Sequence, residues 1–121
     1  GYQGEYSQAI QYYQQSLEIQ REIGDLDGIA SSLNNLGNVY GYQGEYSQAI
    51  QYYQQSLEIQ REIGDLDGIA SSLSNLGVVY SRKKEYDKAI DMLKQARKIF
   101  QEINLYHKIS KIDQFLQFLK K

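Results

Sequence analysis

Leu36-Gly37-Asn38-Val39-Tyr40-Gly41-Tyr42-Gln43-Gly44-Glu45-Tyr46-Ser47-Gln48-Ala49-Ile50-Gln51-Tyr52-Tyr53 is the stretch that decides the fold. Leu36, Gly37 and Tyr40 recur at three and one on its left side, and Tyr46, Ala49, Ile50 and Tyr53 at three and four on its right. Both are helical stripes. Gly41 and Gly44 bracket the turn between them. Further along, Leu57 extends the second stripe, while Tyr52, Ile59 and Ile63 widen it, so that helix is expected to be covered on two sides. Gly64 can take the left-handed conformation that ends a helix. Asp65 or Asp67 can then accept from the free backbone N–H groups of the next helix, whose stripe is Leu66, Ile69, Leu73, Leu76, Gly77 and Tyr80. No run alternates with period two, so strands are not expected.

The pattern repeats. Gly1 to Tyr40 returns as Gly41 to Tyr80 with 38 of 40 positions identical. Only Asn34 to Ser74 and Asn38 to Val78 differ. The register continues as Glu85-Tyr86, Ala89-Ile90, Ile99 and Glu102-Ile103, then drifts: Gln117 stands where Gly37 and Gly77 stood, and Lys120 where Tyr40 and Tyr80 stood. Ile109, Ile112, Leu116 and Leu119 keep one apolar stripe, and Lys108, Lys111 and Lys121 can wet the other side, as in a capping helix. Helices are expected at 5–23, 27–42, 45–63, 67–82, 85–103 and 106–120. The units are a half repeat at 1–26 (a second helix only), complete repeats at 27–66 and 67–104, and a C-terminal cap at 105–121. Because Gly1-Tyr2-Gln3-Gly4 matches the turn inside a unit, a longer N-terminal extension is expected.

Leu36-Gly37, Tyr40, Gly44, Tyr46, Ala49 and Tyr53, with the small Ser56, resemble the tetratricopeptide repeat. Gly37 and Ala49 allow close helix approach, and Tyr40 and Tyr53 fill the space beside them. That family's usual unit is about 34 residues with a closing proline; this one is longer and has none. Asn35-Leu36-Gly37-Asn38 and the 40-residue period resemble the longer type found in the spindle adaptor Pins and in kinesin light chains. The resemblance implies an all-α fold, an α-solenoid of stacked antiparallel helix pairs in a right-handed superhelix of about six helices.

Composition narrows the function. The chain has 121 residues, no Cys and one His, which removes disulfides, thiolate metal sites, a cysteine nucleophile and histidine clusters. The net charge of −2 is no nucleic-acid polycation, and no window is apolar enough to span a membrane. With no targeting signal visible, the cytoplasm is the expected compartment. Glu18 and Glu22, like Glu58 and Glu62, read as solvated helix faces. Ser31, Ser32, Ser71 and Ser72 have no histidine partner to activate them. His107 reads as a surface residue. Gly41-Tyr42-Gln43-Gly44 lacks the Lys-Ser/Thr of a phosphate loop and follows no strand. An enzyme is not expected, nor is any cofactor or metal.

Binding is the remaining class. At about 100° per residue, Ser31, Asn34, Asn38 and Tyr42 point away from Leu33, Leu36, Gly37 and Tyr40, with Asn35 at the edge. Ser71, Ser74, Val78, Arg82 and Asn75 match them one unit later. The resemblance implies that these ten side chains face a concave groove. Asparagine carries both a donor and an acceptor, so Asn34, Asn35, Asn38 and Asn75 suit an extended or helical peptide of a protein partner. Two other readings stand beside this one. Residues 1–80 hold Arg21 and Arg61 against ten acids, a net of −8, while residues 81–121 hold eleven Lys and Arg against five acids, a net of +6. The cluster Arg82-Lys83-Lys84 with Lys88 could meet an anion or a nucleic acid, although nucleic acid is the less expected partner. The apolar face of the first helix could also drive self-association as a structural segment of a longer protein.

Overall fold

The computed structural model describes residues 2–120. Six helices follow in order: α1 (Tyr2–Ile23), α2 (Leu26–Tyr42), α3 (Tyr46–Ile63), α4 (Leu66–Arg82), α5 (Tyr86–Glu102) and α6 (Tyr106–Leu119). The described residues hold no strand, as the spacing predicted. Each helix packs on the next, α1 on α2 through to α5 on α6, and the short connections make neighbours antiparallel. The result is the all-α solenoid expected from the sequence.

The helix ends follow from local chemistry. Asp25 and Asp65, not Asp27 or Asp67, cap α2 and α4: each Oδ1 accepts from the backbone N–H three residues on, Gly28 and Gly68, at 3.0 Å. Asp67 instead accepts from Lys108 Nζ at 2.9 Å. Gly41 lies inside α2, so the turn sits at Gln43 to Glu45, with Gly44 at φ 80°. Lys84 (φ 66°) and Asn104 (φ 64°) repeat the left-handed turns of Gly44 and Gly64, so the turn geometry outlasts the glycine.

Helix α1 starts at Tyr2, earlier than expected, and runs through Gly4. In the second copy the same residues turn because α2 folds back on α3, with Glu45 N–H donating to Tyr40 O at 2.9 Å. At Gly4 the described segment is helical instead.

The core sits between helix pairs. Leu33, Leu36, Leu73 and Leu76 are almost fully buried, each burial contributing about 1.5–3 kcal/mol before entropy is counted. One cluster gathers Leu17, Ile29, Leu33 and Leu36, and a larger one runs from Ala49 to Leu116. Gly37 receives the Tyr53 ring, and Gly77 the Leu93 side chain. Tyr52 stacks on Tyr40 with ring centroids 5.4 Å apart and is half-buried, whereas its copy Tyr12 is 66% exposed. Two-sided covering therefore holds for Tyr52 and Ile59 of α3 but not for Ile63, which is 36% exposed, nor for Tyr12 and Ile19 of α1.

Ile109, Ile112 and Leu116 of α6 are buried against α5, and Leu119 packs partly against them. At the positions of Leu57 and Leu73, which help to form the surface receiving the next helices, the last unit carries Arg97 and Asp113. They form a forked ion pair, Nε to Oδ1 at 2.7 Å and Nη2 to Oδ2 at 3.3 Å. The Arg97 guanidinium holds the Asp113 carboxyl below the usual carboxylate range. The pair leaves this end of α5 and α6 charged and partly exposed.

Candidate functional groove

Two cavities lie along the face built from α2, α4 and α6, floored by α3 and α5. One, of about 180 Å³, is lined by Asn38, Tyr42, Tyr53, Asn75, Val78 and Arg82, with Gly41 and Val79. The other, of about 310 Å³, is walled by Ser71, Ser74, Asn75 and Val78 from α4, Leu93 and Phe100 from α5, and Lys108, Lys111, Ile112 and Phe115 from α6. They share Asn75 and Val78 and so form one track.

Seven of the ten residues singled out in the sequence line that track: Asn38, Tyr42, Ser71, Ser74, Asn75, Val78 and Arg82. Ser31 is exposed, and Asn34 and Asn35 are half-buried outside both cavities. The amides differ in freedom. Asn38 Oδ1 accepts from the Tyr53 hydroxyl, leaving its NH₂ to donate. Asn34 Oδ1 lies 3.2 Å from Ser72 Oγ, which donates to Gln60 Oε1 at 2.6 Å. Ser32 repeats this pairing with the Gln20 amide at 2.7 Å, and Ser56 Oγ donates to Ala30 O at 2.8 Å. Asn34 thus belongs to a polar layer between units. Burial pushes the Tyr53 phenol up to about 12; Tyr42 adds to the rise and Arg82 opposes it.

The side chains missed at the sequence level are Tyr53, Leu93, Phe100, Lys108, Lys111, Ile112 and Phe115. Lys108 and Lys111 keep to the solvated side, Lys111 exposed and Lys108 half-buried, and there they also rim the larger cavity, with Lys108 Nζ 5.2 Å from the Phe100 ring centroid. Lys121 lies outside the described residues. Comparing positions 40 residues apart would have signalled the apolar ones. In the basic cluster, Lys83 and Lys88 both pair with Glu85, at 3.5 and 3.3 Å, which blunts it as an anion site. His107 is exposed. No group of three His, Asp or Glu side chains that could hold a metal occurs among the described residues. No described helix is long and apolar enough to cross a membrane.

Comparison with known proteins agrees with this architecture. No curated protein matches the sequence. Among solved structures, the apo form of RapI superposes with a TM-score of 0.81 at 28% identity, over 89% of this chain and 39% of that one. A signal transduction ATPase with numerous domains from Pyrococcus horikoshii, which carries a tetratricopeptide repeat sensor, gives 0.82 at 28% identity, over 88% of this chain and 17% of that one. The chain therefore spans well under two thirds of either. A Podospora anserina protein described as a kinesin light chain with nearly identical TPR-like repeats shares the fold, with a TM-score of 0.71 at 18% identity over 93% of this chain and 59% of that one. The family model for the tetratricopeptide repeat matches residues 1–62 and 28–102. With Leu36-Gly37, Tyr40, Ala49 and Tyr53 placed as that repeat requires, the chain is a repeat scaffold of the protein-interaction type and belongs to the tetratricopeptide-repeat family.

Proposed function

We propose that this chain is a non-catalytic module that holds an extended or helical peptide segment of another protein along the α2, α4 and α6 face. The observation that carries the reading is the continuous track of two cavities joined at Asn75 and Val78. Asn75, which makes no side-chain hydrogen bond among the described residues, offers a donor and an acceptor to a peptide backbone. Asn35 flanks it one unit earlier, and Asn34, Ser31 and Ser71 extend the polar margin. The 40-residue unit and the Asn35-Leu36-Gly37-Asn38 phrase favour the Pins and kinesin light-chain type of repeat, with a cytoplasmic setting. The domain reading that accompanies it is a half repeat, two full repeats and a cap.

The test is selection of a binding peptide from a displayed library, followed by calorimetry on Asn75→Ala and Asn35→Ala. A drop of about tenfold, roughly 1.4 kcal/mol, with unchanged helical circular dichroism is expected for Asn75→Ala. Unchanged affinity removes the asparagines from the reading, and failure to select any peptide removes the groove. Self-association is a second reading, favoured by Tyr12, Ile19 and Ile23 of α1, which are 59–71% exposed. It predicts a mass that grows with concentration.

A further inference from the structure

The two positions that distinguish the tandem copies, Ser74 and Val78, both line the larger cavity. They belong to a wider exchange. Across α2, α3 and α4 the equivalent positions make polar contacts: Tyr53 with Asn38, and Ser72 with Gln60 and Asn34. Forty residues on, Tyr53 becomes Leu93, Asn38 becomes Val78, Gln60 becomes Phe100 and Ser72 becomes Ile112. Asn75 likewise becomes Phe115. Asn34 alone becomes another polar residue, Ser74. Its hydroxyl oxygen is buried and has no hydrogen-bond partner among the described residues, because the serine it would have faced is now Ile112. Buried polar atoms of native proteins nearly always have a partner.

We infer that this cavity is the specificity subsite of the groove, taking one large apolar side chain from a peptide segment with a carboxylate beside it. The inference rests on the peptide-binding reading above. Leu93, Phe100 and Ile112 are 2–5% exposed and form an apolar floor. About 310 Å³ lies at the small end of ligand pockets and suits a side chain. The rim supplies the sign of the partner. Lys108 is committed to Asp67 at 2.9 Å, while Lys111, exposed one turn later, makes no ion pair among the described residues. The surrounding residues 81–121 carry a net +6. A wholly apolar ligand leaves Lys111 and Ser74 Oγ unmatched, and a cationic one is repelled. Continuity through Asn75 and Val78 with the neighbouring cavity makes the occupant a chain that runs on, not a compact molecule.

The test uses the full chain and two minimal probes of opposite charge, 3-phenylpropionate and 3-phenylpropylamine, followed by methyl NMR at Val78, Leu93 and Ile112. The carboxylate should give saturable shifts confined to those methyls, with the amine weaker by roughly two- to fivefold, the range of one exposed ion pair. Lys111→Glu should reverse that order. Ser74→Asn with Val78→Asn restores the residues of the first copy and should abolish the shifts; if that variant does not fold, Lys111→Glu decides alone. Absent shifts, equal affinity for both probes, or an unchanged order in Lys111→Glu overturns the inference. Shifts that follow dilution of the protein alone, with a mass above 14.0 kDa, mean that a second copy fills the cavity, and this also overturns it. A selected peptide that loses affinity in Asn75→Ala but not in Ser74→Asn/Val78→Asn refutes the subsite and leaves the groove standing.

Discussion

Gly37→Ala should destabilise the protein although alanine is the better helix former. A Cβ at Gly37 would lie 2.6 Å from Tyr53 Cε1, 2.7 Å from Cδ1 and 3.0 Å from Cζ. The ring is the flat of a buried side chain, not the loose end of an exposed one. Tyr53 is 4% exposed and its hydroxyl is held by Asn38, so it cannot swing aside. Overpacking of this kind costs about 1–3 kcal/mol, against a propensity gain of about 0.8–1.0 kcal/mol. Gly41→Ala is the control. It lies in the same helix, with nothing within 4 Å of the added Cβ, and should gain from propensity alone. The two variants should therefore differ by about 1–3 kcal/mol. For a chain of this length that is several degrees in Tm, readable by urea and thermal melts followed at the helical circular dichroism bands. Tyr53→Ala in the Gly37→Ala background should cost less than the sum of the single changes, because the clash and the ring vanish together. A Gly37→Ala protein as stable as Gly41→Ala refutes the close approach of α2 and α3 at Gly37.

Two further outcomes follow from the same contacts. The Tyr53 phenol is raised from 10.0 to about 12, so the native state keeps a proton that the unfolded chain releases; its stabilising contribution is whole below pH 10 and fades between pH 10 and 12, by about 2–3 kcal/mol in all. Tyr53→Phe should flatten the fall in urea midpoint over that window relative to the parent, and an identical fall in both proteins refutes the assignment. Arg97→Leu with Asp113→Leu restores the residue type found at Leu57 and Leu73, exposing a stacking surface to the apolar α1 face of another copy. Light scattering should show mass rising from 14.0 kDa with concentration, and a monomer at every concentration contradicts the ion pair's role as a cap.

The fold was legible because its signals are local. Helical stripes, Gly64 and the aspartates mark elements within a few residues of themselves, and the helix order follows from them. The cap itself is local, since Asp25 and Asp65 cap α2 and α4 alike; what was not local is the pairing of Asp67 with Lys108, 41 residues away in sequence. The same limit applies to the groove. Helical geometry turned Asn34 and Asn38 away from Leu36, but it could not show that Tyr53 occupies the Asn38 oxygen or that Asn34 lies against Ser72. Nor could it show that Lys108 and Lys111 rim a cavity, since the walls facing them come from α4 and α5.

Tandem identity hides as much as it reveals, because each unit supplies only half of its own surroundings. Tyr12 and Tyr52 sit in identical sequence, yet one is 66% exposed and the other stacks on Tyr40; the difference is the helix pair packed ahead of Tyr52. The converse holds at the other end. Ser74 keeps a polar side chain where Asn34 stood, but its neighbour has changed from Ser72 to Ile112, and its hydroxyl is left without a partner. A substitution between copies therefore has no fixed meaning until it is paired with the residue it faces on the following helices. Asn34 with Ser72 and Asn38 with Tyr53 are polar pairs; Ser74 with Ile112 and Val78 with Leu93 face the same interface with apolar partners. Only two residues differ between the copies, and they differ where the residues 40 positions beyond Tyr53 and Ser72 are apolar. The lining of the two cavities therefore shifts from amide-bearing to apolar along one face without any change in the helices that carry it.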